Sequence, residues 1–257
     1  MSLVDYQVKD RIAFITMNRP EKRNALNHEL VRELKQAFDK AAEDTAAKVI
    51  VLKANGEAFC AGADLEYLQG LQKFSYEENL QDSNHLKELF LKIYTHPKIV
   101  IAQVQGHALA GGCGLATVCD FVVSVPNAKF GYTEVKIGFI PAIVTVFLLR
   151  KLGEAKAKEM LLSGELFSAD QVLQAGLINH VVQVGDLEQH VLQLAKKLVE
   201  TNSAESMKLT KRMIAEIPSK SIGEALAYAT EMNAHARGTD DCKRGIAAFL
   251  NKEKLTW

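Results

Sequence analysis

The chain has 257 residues, 48% of them apolar, with 31 basic side chains balanced by 31 acidic ones. Such a balance argues against a general nucleic-acid or membrane-surface binder, and no apolar run approaches the ~18 residues of a membrane helix. The length suits one large core, or a core with an appendage. Met1-Ser2-Leu3-Val4-Asp5-Tyr6 lacks the basic and then apolar pattern of a secretory signal, so a cytoplasmic location is expected. Cys60, Cys113, Cys119 and Cys242 are scattered without metal-ligand spacing, which predicts free thiols and no metal site.

In chain order, residues 2–17 alternate loosely and predict two strands joined near Lys9-Asp10. Asn18 to Asn24 forms a polar turn, and Asn27 is placed to cap a helix whose apolar face is Leu30, Leu34, Phe38 and Ala42. A buried strand over 48–54, a helix starting over 65–71 and a polar loop over 72–79 follow. A helix through Leu86, Leu89, Phe90 and Ile93 is stopped by Pro97. Ile99 to Val104 and Asp120 to Val125 read as further buried strands. This alternation predicts an α/β core with mostly parallel strands. Beyond about residue 143 the pattern turns helical, with one more strand over 177–182. The expected division is a core over 1–200 and a helical region over 201–257 that covers the core or joins subunits.

Two stretches stand out. Ala58-Phe59-Cys60-Ala61-Gly62-Ala63-Asp64-Leu65 and Gln105-Gly106-His107-Ala108-Leu109-Ala110-Gly111-Gly112-Cys113-Gly114-Leu115 are small-residue turns, each following an apolar run and opening a helix. Small side chains there leave backbone N–H groups uncovered. If the turns converge, two donors face one developing negative charge, which is the layout of an oxyanion hole. Cys60 and Cys113 are better read as small buried side chains than as nucleophiles, and His107 as a hydrogen-bonding residue than as a base. A third stretch, Phe130 to Pro141, holds Glu134 in apolar surroundings that raise a carboxyl pKa and suit it to proton exchange near neutrality. Spacing alone favours the plainer reading of Glu134 as a surface residue of a strand-to-helix loop.

These segments together resemble the enoyl-CoA hydratase/isomerase, or crotonase, superfamily. The resemblance starts at Asn18-Arg19-Pro20-Glu21-Lys22-Arg23-Asn24-Ala25-Leu26 and runs through both turns. It continues at Leu162-Ser163-Gly164-Glu165-Leu166-Phe167-Ser168-Ala169 and Ala175-Gly176-Leu177-Ile178, and closes on Thr239 to Lys252. It implies a spiral of β-β-α units with a helical C-terminal region that builds trimers, often paired into hexamers. The implied ligand is an acyl-coenzyme A thioester, with no separate cofactor. By match to the family motif, the N–H groups of Ala63 and Gly111 hold the thioester oxygen and Glu134 moves protons. The coenzyme A portion is expected along Lys22, Arg23 and Ala25, with adenine against Ala61 and Leu65. Asp64, Gly112, Phe249 and Lys252 complete the implied binding set, the last two reaching the nucleotide end, sometimes from a neighbouring subunit.

Two departures bear on the reaction. Hydratases of the superfamily usually carry a second glutamate at the position of Gly114, and a glycine run where this chain has Ala142-Ile143-Val144-Thr145-Val146-Phe147. A single carboxylate in a drier pocket suits isomerisation of 3-enoyl-CoA to 2-enoyl-CoA, which the sequence narrowly favours. Hydration remains the alternative, because the general texture resembles methylglutaconyl-CoA hydratases. Glutaconyl-type decarboxylation and non-catalytic acyl-CoA binding come behind it.

Overall fold

The computed structural model describes residues 2–257. β1 (Val4–Lys9) and β2 (Ile12–Met17) form a hairpin through Asp10 and Arg11, both at positive φ as a two-residue turn requires. β3 (Val49–Ala54), β4 (Ile99–Val104), β6 (Phe121–Ser124) and β9 (His180–Val181) extend the sheet in parallel, in the order β1-β2-β3-β4-β6-β9. Val49 to Leu52 and Val100 to Ala102 are fully buried. Both faces of these central strands are buried, which is why they read as unbroken apolar runs. α1 (His28–Glu43) packs on β1 and β2, while α7 (Leu187–Thr201) packs on β2, β3, β4 and β6. The Asn27 side chain accepts from Leu30 N–H and starts α1 where expected. Its buried Leu30, Leu34 and Phe38 each contribute about 1.5–3 kcal/mol on burial.

A second, smaller sheet joins β5 (Ala108–Leu109), β7 (Lys129–Gly131) and β8 (Phe167–Ser168), and an isolated bridge from Cys60 to Ala108 extends it. Three successive chain turns therefore repeat one pattern: a strand in the large sheet, a short pairing in the small one, then helical structure. Cys60 stacks on Ala108, and Ala108 on Phe130. These strands of two or three residues are too short to leave a period in the sequence.

The 72–79 loop needs correction. Ser75 caps α3 (Tyr76–Tyr94), accepting from Glu78 N–H while the Glu78 carboxylate accepts from Ser75 N–H, so the helix starts at Tyr76. The apolar run from Ala142 opens α5 (Ala142–Ser163), which breaks at Gly153 (φ 73°, ψ 173°). α2 (Leu65–Leu71), α4 (Gly111–Thr117) and α6 (Ala169–Gln174) are short. α8 (Ala204–Glu216), α9 (Ile222–Gly238) and α10 (Asp240–Leu250) finish the chain and pack on one another. No helix among the described residues is long and apolar enough to cross a membrane.

Candidate active site

Ala63, Gly111 and Glu134 follow the stacked positions Cys60, Ala108 and Phe130 by three, three and four residues, so the small sheet brings the three segments together. Leu109 N–H donates to Cys60 C=O at 3.0 Å and Ala110 N–H to Gly131 C=O at 2.7 Å. The two turns touch: a Cβ on Gly62 would come within 2.8 Å of Ala110 Cβ, and one on Gly112 would overlap the Cys60 carbonyl. Glycine is required at both places.

Each turn leaves backbone donors over, Ala63 N–H in the first and Gly111 N–H in the second among them. Leu26 N–H donates to Gly62 C=O and Leu26 C=O accepts from Asp64 N–H, at 2.6 and 2.8 Å, so the Ala63 N–H between them faces away from that bridge. In the second turn Ala110 adopts φ 49°, ψ −124°, a strained conformation for a side-chain-bearing residue, costing about 1–3 kcal/mol. It starts α4 directly at Gly111. Among the described residues, neither Ala63 N–H nor Gly111 N–H has an acceptor.

Glu134 opens a single 3-10 turn after β7. Its Oε2 is buried without a hydrogen-bond partner. Burial raises the carboxyl pKa above its ordinary value of 4.5, opposed by the residue's own N–H. Beneath it, Tyr132 is wholly buried, with its hydroxyl 2.7 Å from Thr117 Oγ1, which donates to Cys113 C=O at 2.9 Å. Burial pushes the Cys60 thiol up to about 12 and the Cys113 thiol to about 11, so both stay protonated. His107 is exposed and its Nδ1 accepts from Lys129 N–H at 3.2 Å, a hydrogen-bonding residue beside the second turn.

At Gly114 the two sequence departures become one contact. A Cβ there would overlap Val144 Cγ1 and come within 2.8 Å of Phe90 Cε2. Val144 is the third residue of α5, and the Phe90 ring stands edge-on to Phe147 with centroids 6.4 Å apart. The space a side chain would need is already filled.

The loop before α1 is more built than its polar sequence suggests. Buried Asn24 donates to Asn55 C=O and Ala58 C=O at 2.8 and 2.9 Å and accepts from Arg19 N–H, tying the loop to the first turn. Arg19 Nη2 pairs with Asp64 at 2.6 Å, and Asp64 also caps α2. Burial would raise the Asp64 carboxyl, but the Arg19 hydrogen bond and charge and the two helix N–H groups hold it below its ordinary value. Asp64 thus sets the turn's shape, and buried Gly112 lets the two turns approach. Arg19 and Asn24 went unassigned in the sequence although both lie in the motif. Exposed Lys22 pairs with Glu66 at 2.8 Å, and exposed Arg23 takes φ 51° and accepts from Ala61 N–H. Ala25 is buried, Ala61 half-buried and Leu65 exposed. Phe249 and Lys252 are exposed at and just beyond the end of α10, a helix packed on α8 and α9.

Paired donors at successive turns of a β-β-α spiral define the crotonase class of enzymes, which act on acyl-CoA thioesters. The sequence profile described as enoyl-CoA hydratase/isomerase matches residues 7–257. A Thermus thermophilus protein with a provisional enoyl-CoA hydratase name is 40% identical over 95% of this chain and 96% of its own. The Escherichia coli 2,3-dehydroadipyl-CoA hydratase is 35% identical over 95% and 94%. The crystal structure of a Mycobacterium smegmatis enoyl-CoA hydratase superposes with a TM-score of 0.93 at 31% identity, covering 99% of this chain and 98% of that one. The chain belongs to the enoyl-CoA hydratase/isomerase family.

Proposed function

We propose that the protein adds water across the double bond of an unsaturated acyl-CoA thioester, with Glu134 as the only side-chain carboxylate that moves protons. The observation carrying this reading is the buried, unpartnered Glu134 Oε2 on a segment tied to two turns that each hold a free N–H. One carboxylate suffices when both new bonds form on one face of the substrate. Glu134 takes a proton from water as its oxygen bonds to the carbon β to the thioester. The electron pair of the C=C bond moves onto the thioester oxygen, held by Ala63 and Gly111 N–H; losing one such donor typically costs ~3–4 kcal/mol. The enolate then reclaims the same proton from Glu134 at the α carbon, and the carboxylate is restored.

The sequence alone tilts narrowly toward isomerisation, and the relatives tilt the balance to hydration. Both curated relatives above carry hydratase names across nearly the full chain. In this reading the coenzyme A portion lies along Lys22, Arg23 and Ala25, with the two cations meeting its phosphates and the adenine against Ala61 and Leu65. Phe249 and Lys252 come from the neighbouring copy of a homotrimer, or of a hexamer made of two trimers. The exposed apolar side chains Ile222, Leu226, Ile246, Phe249 and Leu250 on α9 and α10 support that assembly.

Isomerisation is the second reading, favoured by Val144 and Phe90 filling the space at Gly114 and leaving less room for water. Glu134 then removes the α proton of a 3-enoyl thioester and returns it at the γ carbon. Liquid chromatography that resolves the double-bond isomers, coupled to mass spectrometry in heavy-oxygen water, separates the two, using 2-hexenoyl-CoA, 3-methylglutaconyl-CoA and 3-hexenoyl-CoA. Gain of one labelled water on a 2-enoyl substrate is the expected result. Double-bond migration without water gain overturns hydration in favour of isomerisation, and no change in any substrate leaves an acyl-CoA-binding protein without this chemistry.

A further inference from the structure

α4 has two ends with different tasks. Its first residue is Gly111; its last carbonyls lie deep in the protein, at the N-terminal ends of β4 and β6. There the Lys151 ammonium donates to Thr117 C=O at 2.9 Å and to Cys119 C=O at 3.1 Å. Asp120, the next residue, accepts from Val100 N–H at 2.7 Å and pairs with Lys211 at 2.6 Å. Lys211 also donates to Ile93 C=O and Lys98 C=O. These bonds gather α3, α4, β4, α5 and α8 at one point. Lys151, Lys211 and Asp120 line a cleft of about 780 Å³ that also includes Tyr94, Phe147 and Trp257.

Lys151 belongs to α5, the helix reached from Glu134 within eight residues. Val144, Leu148 and Lys151 recur at helical spacing on that helix, and Val144 meets α4 at Gly114 while Lys151 meets its end. Two residues after Lys151 the helix breaks at Gly153, so Lys151 is the last polar tie between the first half of α5 and α4. We propose that Lys151 is a positioning residue of the active site, holding α4 and α5 in register so that the Gly111 N–H and Glu134 face one substrate. The proposal rests on the roles given above to Gly111 and Glu134. A small displacement between such groups is costly, because effective molarity depends on close alignment.

The bland alternative is a lysine that only stabilises the fold. Lys48 supplies the control, since its buried ammonium donates to Val199 C=O at 2.6 Å without touching α4. Lys151→Met is expected to lower kcat about ten- to a hundredfold, with KM and the Kd for coenzyme A within about twofold of wild type. Lys151→Arg, which keeps charge and donors, should recover most of the rate, whereas Lys48→Met should lower Tm and leave kcat alone. A folded Lys151→Met with unchanged kcat overturns the proposal, as does a parallel fall in kcat, affinity and Tm. If the methionine variant fails to fold, Lys151→Gln, with donors but no charge, gives the same discrimination. Wild type inert in both turnover and α-proton exchange overturns the reading of the site itself, and the role of Lys151 with it; an active wild type with an indifferent Lys151 overturns this inference alone.

Discussion

Glu134 and Gly114 both adjoin the Gly111 turn, yet they are built in opposite ways. At Glu134 the fold holds a charged group away from water with one oxygen unpartnered, an arrangement that lowers stability and suits proton transfer. At Gly114 it packs the space to van der Waals contact with Val144 and Phe90. The missing side chain is not a vacancy that water or a movable residue can fill. One side is held out of water with an oxygen unpartnered and the other is packed, and that packing joins Gly114 on α4 to Val144 on α5.

The largest effect expected from breaking this contrast is at Glu134. Glu134→Gln keeps the shape and removes the base, so turnover should fall by a factor of about 10²–10⁴, while coenzyme A affinity stays near wild type. Calorimetric titration with coenzyme A beside a turnover assay checks this. Loss of both together would make Glu134 a structural residue and remove the reactive side of the comparison.

The sealed side is tested by packing. Gly114→Ala places a Cβ against Val144 Cγ1 and Phe90 and should destabilise the protein by about 1–3 kcal/mol, the usual range for overpacking. Val144→Ala opens the same spot, so the double variant should recover part of that loss, with a coupling of about 0.5 kcal/mol or more in a denaturation cycle. Strict additivity would mean that Gly114 and Val144 are independent and that the two departures from the family pattern have separate causes.

How much of this was legible beforehand follows from the physics of each part. The long elements, α1 with its Asn27 cap and the buried β3 and β4, leave strong periods or runs in the sequence. Ala63, Gly111 and Glu134 were reachable only because the segments around them match a family, since a glutamate between glycines is by itself ordinary. Their convergence was not legible: the small sheet that stacks Cys60, Ala108 and Phe130 rests on pairings too short for any pattern. Gly114 and the bulky run from Ala142 were both visible, but that Val144 occupies the space of the missing side chain is a tertiary fact thirty residues away in the chain. Asp64 was named from the motif alone, while its pairing with Arg19 and its capping of α2 are contacts that only the fold brings about.

The smallest effect follows from the electrostatics of Glu134. Its pKa is raised in the folded state, so the fold binds this proton more tightly than the unfolded chain does. Ionised Glu134 therefore lowers stability at neutral pH, and this disadvantage disappears as pH falls through its folded pKa toward the unfolded value. Glu134→Gln should accordingly melt higher than wild type at pH 7, and the gap should close as the medium is acidified past the ordinary carboxyl range. The acid limb of kcat/KM should lie above 4.5, the ordinary value for this carboxyl, because the base form is required. A Tm gap that is constant with pH would mean that Glu134 is solvated like any surface carboxylate, and the reactive side of the site would lose its physical basis.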